Sequence, residues 1–405
     1  MGVKTGTPQA ESSELRPNAM SKTYAILGAG MQGTAAAYDL AKFANPTKIL
    51  LGDVSLEQAK QSADRVNKLV GQTICHPDQV DAMNPSSLGA FLTGVDVLLS
   101  CVPYWMHPHI AKVAVASNVN MCDLGGNTDV TLETMKLDTV AKEAGVSLVP
   151  DCGLAPGLVN SLGMYLMEQM DEVDTIKMYC GVLPQNPKPP FNYKLTFNVE
   201  GLVTEYDYEA VVLRDGKIDK VDTLADLEDL EIESLGKMEA FNTSGGTSTA
   251  PYTFEGKVKN YVYKTIRFPG HCERMRIFKD FGFWNESPVD VKGTKIVPKD
   301  VFNAVFGPAL DKFVDRDMCA VRAVGEGKKN GQAVRLQVDI LDKEDEATGF
   351  TSMERLTGFS LAIYAVEMAE GRVPKGAIRY EEAVTGTRFV EEIQKRGIVL
   401  KFQGL

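Results

Sequence analysis

Six residues near the start of the chain, Gly28-Ala29-Gly30-Met31-Gln32-Gly33, constrain its fold more than any other feature. A short apolar run, TYAILGA (23–29), leads into them, and an alanine-rich stretch of helical character (31–43) leads out. A second apolar run, KILLGD (48–53), then ends in an acid. Alone, G-x-G-x-x-G is a weak signal. A strand before it, a helix after it, a second strand and an acid twenty residues past the last glycine together make a dinucleotide-binding Rossmann unit. Gly28 permits the tight turn, Gly30 lets backbone N–H groups approach a pyrophosphate, and Gly33 lets helix and strand pack closely. Met31 and Gln32 open the helix whose N-terminus faces the phosphates. Asp53 is placed to accept both ribose hydroxyls and to repel a 2′-phosphate. Val54 and Ser55 offer no arginine to receive one, so NAD is the expected cofactor.

The alternation continues. Strands are expected at 95–103, 119–126 and 146–153, and helices at 55–70 (capped by Ser55), 107–118 and 131–145. After Pro156 the texture changes. KLTFNVEGLV (194–203), YVYKTIRF (261–268) and AVRLQVDILD (333–342) alternate apolar with polar residues, as strands with one wet face do. DGK (215–217) and KNG (329–331) read as turns between strands, and LADLEDLEIESL (224–235) as solvated surface. Helical spacing returns at 353–371. The expected fold is α/β: a Rossmann-type doubly wound parallel sheet, a second mixed-sheet α+β domain, and a C-terminal helical return to the first. The expected boundaries are a flexible leader (1–20), the NAD-binding domain (21–155), a substrate-binding and dimerisation domain (156–350) and the returning segment (351–405).

The formal net charge of -11 argues against nucleic acid or an anionic membrane as partner, and leaves a small-molecule substrate. Seven scattered cysteines, without C-x-x-C spacing, point to neither a disulfide framework nor a zinc site, so a reducing cytoplasm is expected and no metal. There is no apolar run of about 18 residues to span a membrane.

Ligands of an open α/β sheet sit outside the carboxyl ends of its strands. Cys101, Val102 and Pro103 end one such strand and are expected along the nicotinamide half of the cofactor, with Tyr104 and His107 within reach of a substrate. Core packing for Tyr104 and a helix cap for His107 account for them equally well. Asp123 ends another strand at the same edge, and DCGLAPG (151–157) the next. In the second domain, NTSGGTST (242–249) offers the hydroxyls of Thr243 and Ser244, and YKTIRFPGHCE (263–273) places Arg267 and His271 on one segment. Arg267 suits a bidentate clamp on a carboxylate. A mobile surface loop and a solvated strand face remain the bland alternatives for these two segments. An NAD(H)-sensing regulator would need only the glycine loop and Asp53.

These motifs, with VPYWMHP (102–108), DCGLAPGLVN (151–160), YCGVLPQNPKPPFNYKLTFNVEGL (179–202), EAFNTSGGTST (239–249) and YKTIRFPGH (263–271), resemble the saccharopine dehydrogenase-like family, and most closely its lysine 6-dehydrogenase branch. The resemblance implies oxidation of an amine carbon to an imine, which water hydrolyses. For the lysine 6-dehydrogenase branch the substrate is L-lysine, and the products are ammonia and 2-aminoadipate 6-semialdehyde, which cyclises to a piperideine carboxylate. It also implies Tyr104, Tyr193 and Arg267 as substrate contacts, and a homodimer or dimer of dimers. Saccharopine reductases carry G-L-D-P-G where this chain has Gly153-Leu154-Ala155-Pro156-Gly157, and a longer second domain. Both departures lean toward a smaller amine, with saccharopine and carboxynorspermidine-type substrates as alternatives. The base that must deprotonate the amine stays open among Tyr104, His107, Asp123 and His271.

Overall fold

A computed structural model describes residues 22–196 and 199–405. The leader expected over 1–20 lies outside the described residues. Strands β1 (Thr23–Leu27), β2 (Lys48–Asp53), β3 (Cys75–Gln79), β4 (Val97–Ser100), β5 (Asn120–Asp123) and β6 (Ser147–Val149) form a parallel sheet ordered 3-2-1-4-5-6. Their apolar side chains are buried on both faces, as helix-covered parallel strands require. The order reverses between β1 and β4, which puts the glycine turn after β1 beside Cys101 after β4. Helix Met31–Phe43 follows that turn, and helix Leu56–Val70 is capped by the Ser55 hydroxyl, which accepts from Gln58 N–H. The single helix expected over 131–145 is two, Thr128–Met135 and Asp138–Glu143.

The second sheet is mixed. It uses β7 (Glu172–Pro184), β8 (Ala210–Arg214), β9 (Lys217–Val221), β10 (Glu228–Ile232), β11 (Gly236–Phe241) and β12 (Asn260–Arg267). A hairpin of β13 (Val289–Val291) and β14 (Thr294–Ile296) stands apart, and β15 (Asp317–Lys329) and β16 (Gln332–Lys343) complete the long centre. β12 runs parallel to β7, and β15 antiparallel to it. Both expected turns, Asp215-Gly216 and Asn330-Gly331, have two residues at positive φ, the geometry of a two-residue hairpin.

Two readings of the second domain fail. Within 194–203 the expected strand gives way to a helix, Val199–Asp207, with residues 197–198 outside the described set. Its Leu202, Val203 and Tyr206 fall on one face at helical spacing and are buried. The supposed solvated surface at 224–235 contains β10, an edge strand on β11 whose Ile232 is buried.

The chain then returns. Helix Ser352–Ala369 starts at a capping box, Thr351 Oγ1 accepting from Glu354 N–H and Glu354 Oε2 from Thr351 N–H. It is buried nearly all round against helix Met31–Phe43, so closely that a Cβ on Gly358 would lie 2.8 Å from that of Ala35. β17 (Gly376–Ala377) extends the first sheet beside β6, and β18 (Leu400–Gln403) the second beside β16. The buried pair Arg396–Asp39, at 2.7 and 3.0 Å, fastens this segment to the first helix. No helix among the described residues is long and apolar enough to cross a membrane.

Candidate active site

The glycine turn has the geometry its sequence requires. Gly28 sits at φ +99°, where its N–H donates to Gly52 O at 2.8 Å and a Cβ would strike Cys101 O. A Cβ on Gly33 would come within 1.9 Å of Gly28 O. Around Gly30 there is open space: an added Cβ meets nothing within 4 Å. No side chain caps the helix at Gly30 and no acid occupies its first turn, so its N–H groups are left to an anion. Met31, in that first turn, is exposed. Asp53 is held by Ala29 N–H (2.8 Å, to Oδ2) and Ser55 N–H (2.9 Å, to Oδ1). That fixes a carboxylate at the carboxyl end of β2 with lone pairs to spare for hydroxyls. An uncapped helix end, an open cradle and a fixed acid fit a nicotinamide dinucleotide.

Beside this turn a cavity of about 330 Å³ opens between the two sheets. From the first come Gln32, Tyr104, Leu124–Gly126 and Gly153–Ala155, all at strand carboxyl ends or the helix start. Cys180 and Val182 of β7 line it with Tyr263, Thr265 and Arg267 of β12, alternate residues on one strand face. Lys264 faces away and pairs with Glu228. Gly201, Thr204 and Glu205 of helix Val199–Asp207, Ser244, and Met353 and Thr357 of the returning helix close the rest.

Arg267 is 4% exposed and fixed on several sides. Its Nε–H donates to Tyr206 Oη at 3.0 Å, its Nη1–H to Ile266 O at 2.9 Å, and it stacks 5.0 Å above the Tyr193 ring. Its Nη2 lies 3.9 Å from Glu205 Oε2. Burial pushes the Glu205 carboxyl up to about 7, against the pull of Arg267. Tyr206 Oη also stands 3.1 Å from His271 Nε2, and His271 Nδ1 3.3 Å from Phe191 O. Burial, then the charge of Arg267, depresses His271 to about 3.

Of the residues singled out by sequence, Tyr104, Ser244, Arg267 and Gln32 line the cavity. Tyr193 and His271 lie behind Arg267. Thr243 is behind the wall, its hydroxyl 2.7 Å from that of Thr265. His107 and Asp123 are beneath the floor: Asp123 Oδ1 accepts from Gly125 N–H (2.8 Å) and Asp151 N–H (3.1 Å), while His107 Nδ1 lies 3.2 Å from Ser100 Oγ. The 242–249 loop is largely buried, with Ser248 hydrogen-bonded to Asp151 and Thr249 to Glu381. Sequence reasoning missed Glu205 and Tyr206, because the strand expected over 194–203 hid the helix that carries them. It missed Tyr263 and Thr265 too, although the alternation ending at Arg267 points to both.

Fold and cleft define a two-domain dinucleotide-binding protein with its ligand cavity where the domains meet. Comparison with known proteins gives the lineage. Residues 24–149 match the family model described as the saccharopine dehydrogenase NADP binding domain, and 153–398 the saccharopine dehydrogenase C-terminal domain. The chain belongs to the saccharopine dehydrogenase family. It is 23% identical over 248 residues to a saccharopine dehydrogenase [NADP(+), L-glutamate-forming] of Pyricularia oryzae, covering 59% of this chain and 53% of that protein. It is 24% identical over 208 residues to the bovine mitochondrial alpha-aminoadipic semialdehyde synthase, covering 49% of this chain and 22% of the relative. The chain thus spans about half the length, or less, of these relatives. Among solved structures, apo saccharopine dehydrogenase (L-Glu forming) from Saccharomyces cerevisiae shares the fold, with a TM-score of 0.77, 18% identity, and 95% and 100% of the two chains covered.

Proposed function

We propose that this protein is an NAD-dependent dehydrogenase that oxidises the ε-amine of L-lysine, giving 2-aminoadipate 6-semialdehyde and ammonia. One observation carries the reading: among the described residues lining the cavity there is a single cation, Arg267, and a single acid, Glu205. A substrate that carries one carboxylate together with ammonium nitrogen matches that pair of charges. Saccharopine, for which the Pyricularia oryzae relative is named, carries three carboxylates and calls for more positive charge than one guanidinium.

Arg267 has five N–H donors and spends two inside the protein, leaving donors to clamp a carboxylate. Anchoring the α end sends the four-carbon side chain toward the carboxyl edge of the first sheet. Gly28, Gly30 and Gly33 with the helix end would hold the pyrophosphate of the cofactor, Asp53 its ribose, and Cys101 to Pro103 its nicotinamide half. When bound, that ring accepts the hydrogen and two electrons leaving the ε-carbon. Asp53 supports NAD over the NADP(+) in the name of the Pyricularia oryzae relative, because a carboxylate repels a 2′-phosphate. Assembly as a homodimer or dimer of dimers through the second domain, and residence in a reducing cytoplasm that keeps the seven free thiols, belong to the same proposal. Light scattering that finds only a 44 kDa species would remove the assembly.

The deciding experiment mixes protein and NAD⁺ with lysine, saccharopine, carboxynorspermidine and cadaverine, and follows the absorbance of the reduced cofactor. Lysine is expected to react fastest. Activity on saccharopine alone overturns the substrate, and tight NADH binding without oxidation of any amine supports a sensor instead.

A further inference from the structure

Removing hydride from an amine carbon requires a lone pair on the nitrogen. At neutral pH an amine of pKa near about 10 carries a proton there instead, so the site needs a proton acceptor facing the substrate. Resting on the reading that an amine is oxidised in this cavity, we infer that Glu205 is the catalytic base that takes the proton from the substrate ammonium.

Placement carries the argument. Glu205 lies in the last turn of helix Val199–Asp207, and that turn is pinned to the buried loop. Ser244 N–H donates to Glu205 O at 2.9 Å, and the Ser244 hydroxyl to Thr204 O at 2.9 Å. The carboxylate itself accepts no hydrogen bond among the described residues. It is 37% open, onto the cavity. The other acids near the cavity are committed elsewhere: Asp123 to two N–H groups, Asp151 to Ser248, Glu381 to Thr249 and Thr253. Tyr104 also lines the cavity, but burial raises its hydroxyl above the ordinary tyrosine range, away from use as a base near neutrality. The groups facing Glu205 are Arg267 on β12, Tyr263 on the same strand, Tyr193, and Tyr206 beside it on its own helix. Arg267 is the one cation among them. Its 3.9 Å separation leaves Glu205 Oε2 free to accept an N–H. With a pKa near 7, Glu205 is matched to proton transfer at neutral pH.

The balance closes. One N–H proton of the ammonium passes to a Glu205 oxygen. The nitrogen lone pair becomes the second bond of C=N as hydride leaves the carbon with two electrons for the nicotinamide dinucleotide. Water adds to the imine carbon, and ammonia departs.

The test uses Glu205→Gln and Glu205→Asp in the full chain, with whichever amine the wild type oxidises fastest. Wild-type kcat/KM is expected to fall on the acid side of pH 7. Glu205→Gln should lose about 10²–10⁴-fold at pH 7 and recover toward pH 10, where the amine is deprotonated in solution. Glu205→Asp should restore part of the rate, and NADH binding should be unchanged in both variants. Difference infrared spectra between pH 6 and 8 should show a carboxylic C=O band that Glu205→Gln diminishes. An unaltered infrared band, an unaltered pH profile, or a change in KM alone overturns the base assignment whatever the substrate. Activity confined to amines other than lysine overturns the lysine reading and leaves Glu205 standing.

Discussion

Arg267 takes its orientation from a chain of donors with one consistent direction. A guanidinium only donates, so Tyr206 Oη accepts from Nε–H and gives its own proton to His271 Nε2. That requires the neutral histidine with its proton on Nδ1, directed at Phe191 O. Both ring nitrogens of His271 are thereby occupied, and the depressed pKa keeps the ring neutral. Arg267→Ala is expected to weaken lysine by ~2–5 kcal/mol through KM while sparing the KM for NAD⁺. Cadaverine, which lacks the carboxylate, should be nearly indifferent to it. Tyr206→Phe should raise the KM for lysine about tenfold, near 1.4 kcal/mol, with little change in kcat. Steady-state kinetics on the two amines separate these effects, and equal wild-type activity on cadaverine and lysine defeats the anchor. At the other end of the cleft, Asp53→Ser with Val54→Arg removes a repulsion and adds a phosphate partner. Preference should move toward NADP, and a wild type that reduces NADP⁺ as well as NAD⁺ defeats this account of Asp53.

The turn between β1 and its helix separates two uses of glycine that look identical in sequence. Gly33 is required by the fold, since any Cβ collides with Gly28 O, whereas the space over Gly30 is open. Gly33→Ala should lower both the melting temperature and NADH affinity. Gly30→Ala should lower affinity at an unchanged melting temperature, because its methyl fills only the space a pyrophosphate would enter. Calorimetry and NADH fluorescence on both variants check this, and equal destabilisation defeats it. The first sheet was largely legible because its buried parallel strands are short apolar runs, with β1 running into Gly28 and β2 and β5 ending in Asp53 and Asp123. β3 escaped notice because Cys75–Gln79 holds one buried residue in five. Helix Val199–Asp207 was misread because Leu195, Phe197 and Val199 alternate with polar residues into its first turn, and only tertiary packing decides between the periods. Glu205 disappeared with it. The acidic 228–232 segment hid an edge strand, where outward charges are normal because they discourage further pairing.

The whole molecule is joined across its cleft by buried polar groups, a feature no local pattern announces. Ser248 bonds Asp151 at the end of the first sheet, Thr249 bonds Glu381 of the returning segment, and Tyr380 Oη donates to Thr247 O at 2.8 Å. The cost of these seams is buried acid. Burial, reinforced by the charge of Asp123, lifts Asp151 to about 7. Burial lifts Glu381 to about 7 against its threonine hydrogen bonds. Glu205, partly open to the cavity, moves the same way to a lesser effect on stability. For an acid whose folded pKa lies above its unfolded value, the unfolded chain binds fewer protons between the two. Stability therefore falls as pH rises from about 4 to 7, and is flat above. His271 acts in the opposite sense. Its folded pKa near 3 lies below the unfolded value near about 6.5, so stability is lost as pH falls through that window. Between pH 4.5 and 6, roughly the overlap of these windows, Asp151, Glu381 and Asp39, which burial lifts to about 6, oppose one histidine, and Glu205 adds less. Each group fully in its window contributes about 1.36 kcal/mol per pH unit, so the acids prevail. The melting temperature is expected to rise as pH is lowered from 8 to about 5, and to fall again once carboxylates held below their ordinary pKa by ion pairs, such as Glu392 with Lys395 and Arg396, take up protons. Glu381→Gln, which cannot ionise, should shrink the difference between pH 5 and pH 8. Calorimetry across that range decides the matter, and a protein more stable at pH 8 than at pH 5 would show that these acids are charged in the folded state.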